Sequence, residues 1–194
     1  MRNVPEKIIV AVTGASGSIY ARLLVGELLK QPGIREIALI FSENGRDVAA
    51  YEEQKMPDTD GRIRVFGNRD MFAAPASGSA RYDAMVIVPC SMGTTGRIAH
   101  GISDSLLTRA ADVMLKERRM LILVPRETPY STIHLRNLTA LSECGAIVVP
   151  ASPSFYSRPR DIRELCMTVV ERVVSLLGFE TPGYYSWADR PDER

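Results

Sequence analysis

The chain has 194 residues, 45% of them hydrophobic and 24% charged, with a formal net charge of +1. That length fits one domain with a sizeable core, and so small a net charge excludes a global basic field for nucleic acid or an anionic membrane. No apolar run approaches the roughly 20 residues that span a bilayer, and a strand so near the N-terminus fits no signal peptide.

The expected elements alternate along the chain. Lys7–Thr13 reads as a buried strand and enters the small-residue loop Gly14-Ala15-Ser16-Gly17. Ser18–Lys30 carries Ile19, Leu23, Leu24 and Leu28 at helical spacing and stops at Gln31-Pro32-Gly33. Glu36–Phe41 is a second strand, with Ser42 a helix cap and Glu43–Lys55 the helix. Pro57–Arg69 reads as a polar loop and Ala73–Ala80 as an irregular segment. Asp83–Val88 is a third strand that runs into Pro89-Cys90-Ser91-Met92-Gly93-Thr94. Thr95–His100 and Ser105–Arg118 are helices split by Gly101. Met120–Pro125 is a fourth strand that meets Arg126-Glu127. Ser131–Cys144 is a helix closed by Gly145, Ala146–Pro150 a fifth strand, Ser152–Pro159 a loop, and Asp161–Leu177 a helix ended by Gly178. We expect one domain over residues 1–194, with 179–194 as a C-terminal tail.

Such alternation predicts an α/β fold, a three-layer sandwich with a parallel sheet and helices on both faces. An open parallel sheet binds ligands outside the carboxyl ends of its strands. Three strands here end in loops of different chemistry. Small residues let a backbone approach a phosphate, and a following helix N-terminus favours the anion. Together they predict one composite site for a phosphorylated cofactor and a second anionic substrate. The first loop lacks the G-x-G start of a dinucleotide fingerprint, and the second strand ends in Phe41-Ser42 rather than an acid. There is also no G-x-x-x-x-G-K-[ST], so a mononucleotide such as FMN fits better than NAD or ATP.

The three cysteines, Cys90, Cys144 and Cys166, are odd in number and widely spaced, which predicts reduced thiols in a cytoplasmic protein. Cys90 reads as a small buried thiol rather than a nucleophile. The two histidines, His100 and His134, have no Cys/His cluster around them, so no structural zinc site is expected. Arg126 and Glu127 follow a buried strand directly, where charges need partners or a task. A guanidinium fork suits a phosphate or an adjoining anion, and a carboxylate there can manage a proton.

The segments TGASGSIYARLL, VPCSMGT, RAADVMLKERR, LVPRETPYSTIHLRN and PSFYSRP, in that order and spacing, resemble the UbiX-type flavin prenyltransferases over nearly the whole chain. The resemblance implies a flavodoxin-like (Rossmann-like) fold and a homo-oligomer, commonly a dodecamer. It implies transfer of a dimethylallyl group from dimethylallyl monophosphate to N5 and C6 of reduced FMN. The prenylated FMN would then serve UbiD-type decarboxylases. By resemblance, Gly14, Ala15, Ser16, Ser42, Ser91, Met92, Gly93 and Thr94 contact FMN, and Arg126 takes its phosphate or a neighbouring anion. Ser16 lies near the reacting flavin edge and Glu127 is the acid/base at N5. Arg109, Lys116, Tyr156 and Arg172 bind the prenyl phosphate, the first two across a subunit boundary, and Trp187 lines the prenyl group. Either Glu52 or Glu53 matches a family glutamate near the active site, and spacing does not choose between them.

Arginines and a lysine stand where diphosphate-using prenyltransferases present Asp-rich magnesium motifs. No metal is therefore expected, and a monophosphate donor is favoured over a diphosphate. Thr95-Gly96-Arg97 departs from a usually more apolar run, adding a charge at Arg97. An alternative function is a non-catalytic FMN-binding accessory subunit of an aromatic acid decarboxylase. It would keep the loops but would not need Glu127, Lys116, Tyr156 and Arg172 together. A cysteine decarboxylase of the related group would need an early histidine and a P-x-M-N-x-x-M-W segment, which are absent.

Overall fold

A computed structural model describes residues 4–57 and 60–181. Six strands form one all-parallel sheet in the order β3-β2-β1-β4-β5-β6. They are β1 Lys7–Val12, β2 Glu36–Phe41, β3 Ile63–Phe66, β4 Ala84–Cys90, β5 Met120–Pro125 and β6 Ile147–Val148. The helices are α1 Ser18–Leu29, α2 Glu43–Tyr51, α3 Met92–Ala99, α4 Leu106–Lys116, α5 Thr132–Glu143 and α6 Ile162–Leu176.

Side chains alternate across the sheet because a strand has a period of two. Ile8, Val10 and Val12 of β1 face one core with Leu24 and Leu28 of α1 and Val170, Val173 and Val174 of α6. Ile9 and Ala11 face the other, with Leu107, Ala110, Val113 and Met114 of α4 and Ile98 of α3. β4 lies at the centre and is buried at every position, as a parallel strand covered on both faces must be. The three-layer α/β architecture expected from the alternation is therefore present.

The five expected strands take the order 2-1-3-4-5, the flavodoxin order. A sixth, β3, adds an edge beside β2 and completes the 3-2-1-4-5-6 order. It lies inside the segment Pro57–Arg69, which the polar composition predicts to be a loop. Only four residues long and with exposed positions, it has too weak an alternation to stand out from polar flanks. Element boundaries also differ, and β4 runs through Pro89 to Cys90, past the expected end at Val88. α2 stops at Tyr51 rather than Lys55, α3 starts at Met92 rather than Thr95, and β6 shrinks to Ile147–Val148. In the segment expected to be irregular, Ala74–Ala76 and Gly78–Ala80 form single-turn 3-10 helices. Past Gly178 (φ 93°) the chain turns back, and Phe179 is buried with its N–H donating to Val174 O.

The strand order reverses between β1 and β4, so the loops leaving these two strands diverge and leave a crevice.

Candidate functional site

Hydrogen bonds join the strand-end loops into one edge. The Ser42 amide donates to Val12 O at 2.9 Å, tying β2 to β1. Thr13 Oγ1 donates to Pro89 O at 2.8 Å and accepts from the Ser91 amide at 2.8 Å, tying β1 to β4. The Arg126 amide donates to Cys90 O at 3.2 Å, and the Ala151 amide to Pro125 O at 3.0 Å, extending the edge across β5 to the loop after β6. On the other side, Asn68 accepts from the Leu106 amide at 2.8 Å and, through Oδ1, from the Leu107 amide at 3.0 Å. That fixes the start of α4 beside the end of β3.

These loops enclose a cleft of about 500 Å³ at the crevice. Gly14 and Ser42 line it with Asn44, Asn68, Arg69, Ser91, Gly93, Thr94, Arg97, Ser105 and Thr108 among others. Ser42, Ser91 and Ser105 are each the N-cap of a helix, accepting from the amides of Gly45, Thr94 and Thr108. Three helix N-termini with hydroxyl caps therefore converge on one space, an arrangement that favours an anion. A Cβ added at Gly14 would lie 2.6 Å from Asn44 Cβ, so only glycine lets the first loop pass this close to α2. Arg97 donates to Gly93 O at 3.2 Å and pairs with Asp104 at 3.5 Å, while Arg69 pairs with Glu43. Both guanidinium groups border the cleft. Its volume, hydroxyls, amides and cations suit a phosphorylated mononucleotide.

The flavoprotein family profile matches residues 2–178. A flavin prenyltransferase UbiX of Pseudomonas aeruginosa is 41% identical over 96% of both chains. One from Methanocaldococcus jannaschii is 43% identical over 93% of this chain and 98% of its own. The crystal structure of AnUbiX in complex with FMN and dimethylallyl pyrophosphate superposes with a TM-score of 0.87 at 37% identity, over 94% of this chain and 97% of that one. A dodecameric FMN-dependent UbiX-like decarboxylase from Escherichia coli gives a TM-score of 0.85 at 39% identity, over 93% and 98%. The chain belongs to the UbiX-type flavin prenyltransferase family. The FMN-dependent cysteine decarboxylase TvaF, at 19% identity and a TM-score of 0.58, shares only the fold.

Among the residues expected to contact FMN, Gly14, Ser42, Ser91, Gly93 and Thr94 line the cleft. Ala15 and Met92 are buried and are not among the residues lining the cleft. Ser16 is exposed on the same loop. Among the cleft residues that escape the sequence pattern as ligands are Asn44, Asn68, Arg69, Arg97, Ser105 and Thr108. In the sequence Arg97 stands out only as an added charge. Its spacing of four from Gly93 places it one helical turn on, and that is the available signal.

Of the two glutamates, Glu52 is the one whose carboxylate reaches the α1 N-terminus. Its carboxylate accepts from the Gly17 amide at 2.9 Å, the Ser18 amide at 2.8 Å and the Ser18 hydroxyl. Burial alone would raise its pKa. The Ser16 and Ser18 hydroxyls and the two amides outweigh that and hold it below the usual carboxylate range. An ionised carboxylate thus sits at the N-terminus of α1, against the Gly14–Gly17 loop. Glu53 is exposed and adopts a left-handed conformation with φ 55°.

Glu127 is half-buried after β5 and its Oε1 accepts from the Thr128 amide at 3.0 Å. Burial, then the Glu127 charge, pushes the Tyr130 phenol up. Arg126 is exposed at the end of β5 and does not border the cleft. Cys90 lies fully buried beneath, and burial pushes its thiol up to about 12 against a hydrogen bond with Thr95. A neutral thiol at physiological pH is no nucleophile.

The four expected prenyl-phosphate ligands do not meet within one chain. Arg109 on α4 donates to Ala76 O at 3.2 Å and to Asp112 at 2.6 Å, and Lys116 pairs with Glu117 at 2.7 Å. Arg172 is exposed on α6, which packs on the opposite face of the sheet. Tyr156 is exposed in the loop after β6. Trp187 lies outside the described residues.

Proposed function

We propose that this protein is a flavin prenyltransferase that joins a dimethylallyl group to N5 and C6 of reduced FMN. The observation that carries the reading is the cleft at the β1/β4 crevice, in a chain 41% and 43% identical over nearly its whole length to relatives named flavin prenyltransferases. Reduced FMN would supply both electron pairs: N5 displaces the allylic phosphate and loses its proton, and C6 adds to the allylic double bond as that bond takes up a proton and C6 loses its own, so the one net proton leaves with the phosphate. The protein's residues do the remaining work.

Ser42, Ser91, Thr94 and Arg97 hold the FMN phosphate and polyol through hydroxyls, amides and one cation. Arg126 takes the adjoining anion at the β5 edge. Ser16, with its hydroxyl oriented by Glu52, faces the reacting edge of the flavin. Glu127 accepts the N5 proton. Arg109, Lys116, Tyr156 and Arg172 hold the departing phosphate, since fixed cations in a dry site lower the cost of the charge that develops there. Trp187 lines the allylic group. α4 and α6 lie on opposite faces of the sheet, so this set converges only where copies of the chain meet. A homo-oligomer supplies that contact, and the dodecameric UbiX-like neighbour supports the reading.

We infer one domain over residues 1–194, dimethylallyl monophosphate as the donor, and a UbiD-type decarboxylase as the recipient. A cytoplasmic site rests on the three unpaired thiols. Among the described residues no helix is long and apolar enough to cross a membrane.

The test is transfer of product. Protein, reduced FMN and dimethylallyl monophosphate are incubated without oxygen, and the small-molecule filtrate is added to an apo UbiD-type decarboxylase. Release of CO2 from its aromatic acid is expected. A filtrate that fails with both the monophosphate and the pyrophosphate, while FMN binds, points to the accessory-subunit reading instead.

A further inference from the structure

Glu52 is aimed at the α1 N-terminus by a helix ending that uses the wrong residue. The Gln54 amide donates to Ala49 O at 2.9 Å and the Glu53 amide to Ala50 O at 3.1 Å. These are the two bonds of a Schellman motif, with Glu52 as C-cap and Glu53 at the left-handed position. Glycine normally occupies that position, because a Cβ is strained at φ 55°. A non-glycine residue persists there only where its surroundings over-determine it.

Gln54 supplies that constraint. Its Nε2 donates to Glu52 O at 2.8 Å, and its Oε1 accepts from Arg22 Nε of α1 at 2.7 Å. One amide side chain therefore locks the turn and anchors it to the same helix whose N-terminus receives the Glu52 carboxylate. We infer that Gln54, held by Arg22, is a positioning residue for the reaction: it fixes the turn that aims Glu52 at Gly17 and Ser18 and thereby sets the flavin loop. This rests on the prenyltransferase reading for its catalytic consequence, but not for its geometry.

The test uses full-length protein in its native assembly and has two readouts. Hydrogen exchange by mass spectrometry follows the Gly17 and Ser18 amides, and kcat is measured at saturating reduced FMN and donor. In Gln54→Ala those amides exchange roughly tenfold faster or more, and kcat falls roughly tenfold to a hundredfold. The double variant Gln54→Ala/Glu53→Gly restores both, because glycine holds the left-handed turn unaided. A general loss of packing would not be rescued by a second substitution at an exposed position. Unchanged amide protection in Gln54→Ala overturns the inference, as does a double variant that fails to recover. If Gln54→Ala does not fold, Arg22→Met, which keeps the aliphatic stem, is read the same way and must loosen the same amides. A wild type that leaves FMN unmodified would sink the prenyltransferase reading, while the exchange data would still decide the role of Gln54.

Discussion

Thr13→Val tests the scaffold of the cleft without touching a proposed ligand. Thr13 is 1% exposed and its hydroxyl holds the β1 and β4 loops together through two bonds of 2.8 Å. Valine keeps the shape and removes both. Pro89 O retains the Thr13 amide at 3.3 Å, so the carbonyl is not orphaned. The Ser91 N–H loses its acceptor, which costs about 1–3 kcal/mol, and the second bond contributes about 1 kcal/mol more. A buried methyl in place of a hydroxyl returns about 1 kcal/mol. The net loss is about 2 kcal/mol, which lowers the midpoint by about 4–8 °C for a chain of this size. Ser91 caps α3 and borders the cleft, so FMN affinity, followed by flavin fluorescence, falls roughly tenfold, the equivalent of about 1.4 kcal/mol. A midpoint within about 1 °C of wild type, with FMN binding unchanged, would refute the zipper of hydrogen bonds on which the site is built.

Other consequences follow from single groups. The folded pKa of Glu52 lies below its unfolded value, so its stabilisation is complete above the ordinary carboxylate range and is lost as pH falls through the lower folded value. Glu52→Gln should therefore cost stability in urea unfolding at neutral pH, and the gap to wild type should close in strong acid; a gap independent of pH contradicts an ionised cap. Arg97→Ala should weaken FMN binding about tenfold with little change in midpoint, because its ion pair with Asp104 is solvent-exposed at 3.5 Å. Equal FMN affinity would remove Arg97 from the phosphate site. In native protein, iodoacetamide should modify exposed Cys144 and spare Cys90, whose thiol burial pushes up to about 12, until the chain unfolds. Rapid labelling of Cys90 would mean that the β4 end opens.

The α/β alternation is legible in the sequence because a short, continuous apolar run such as that of β4, bounded by turn residues, suits a strand covered on both faces. β3 is not legible: four residues with two exposed side chains give almost no periodic signal, and its strand character comes from pairing with β2. At the site, the glycines and hydroxyls at strand ends can be read because backbone approach and helix capping demand those residue types. That Glu52 rather than Glu53 reaches the α1 N-terminus cannot be read. It depends on a left-handed turn at a residue that is not glycine, set by Gln54 and Arg22, which are 32 positions apart. The cleft cations Arg69 and Arg97 are equally hidden, since a surface charge and a ligand look alike until neighbouring elements enclose them. The dispersal of Arg109, Lys116 and Arg172 over opposite sheet faces is likewise invisible along one chain.

The most direct measurement is the mass of the flavin released after anaerobic incubation of the protein with reduced FMN and dimethylallyl monophosphate. The account predicts FMN enlarged by one C5H8 unit, formed by the wild type and strongly slowed in Glu127→Gln. Unmodified FMN, recovered from protein that demonstrably binds it and offered both the monophosphate and the pyrophosphate, would contradict the account.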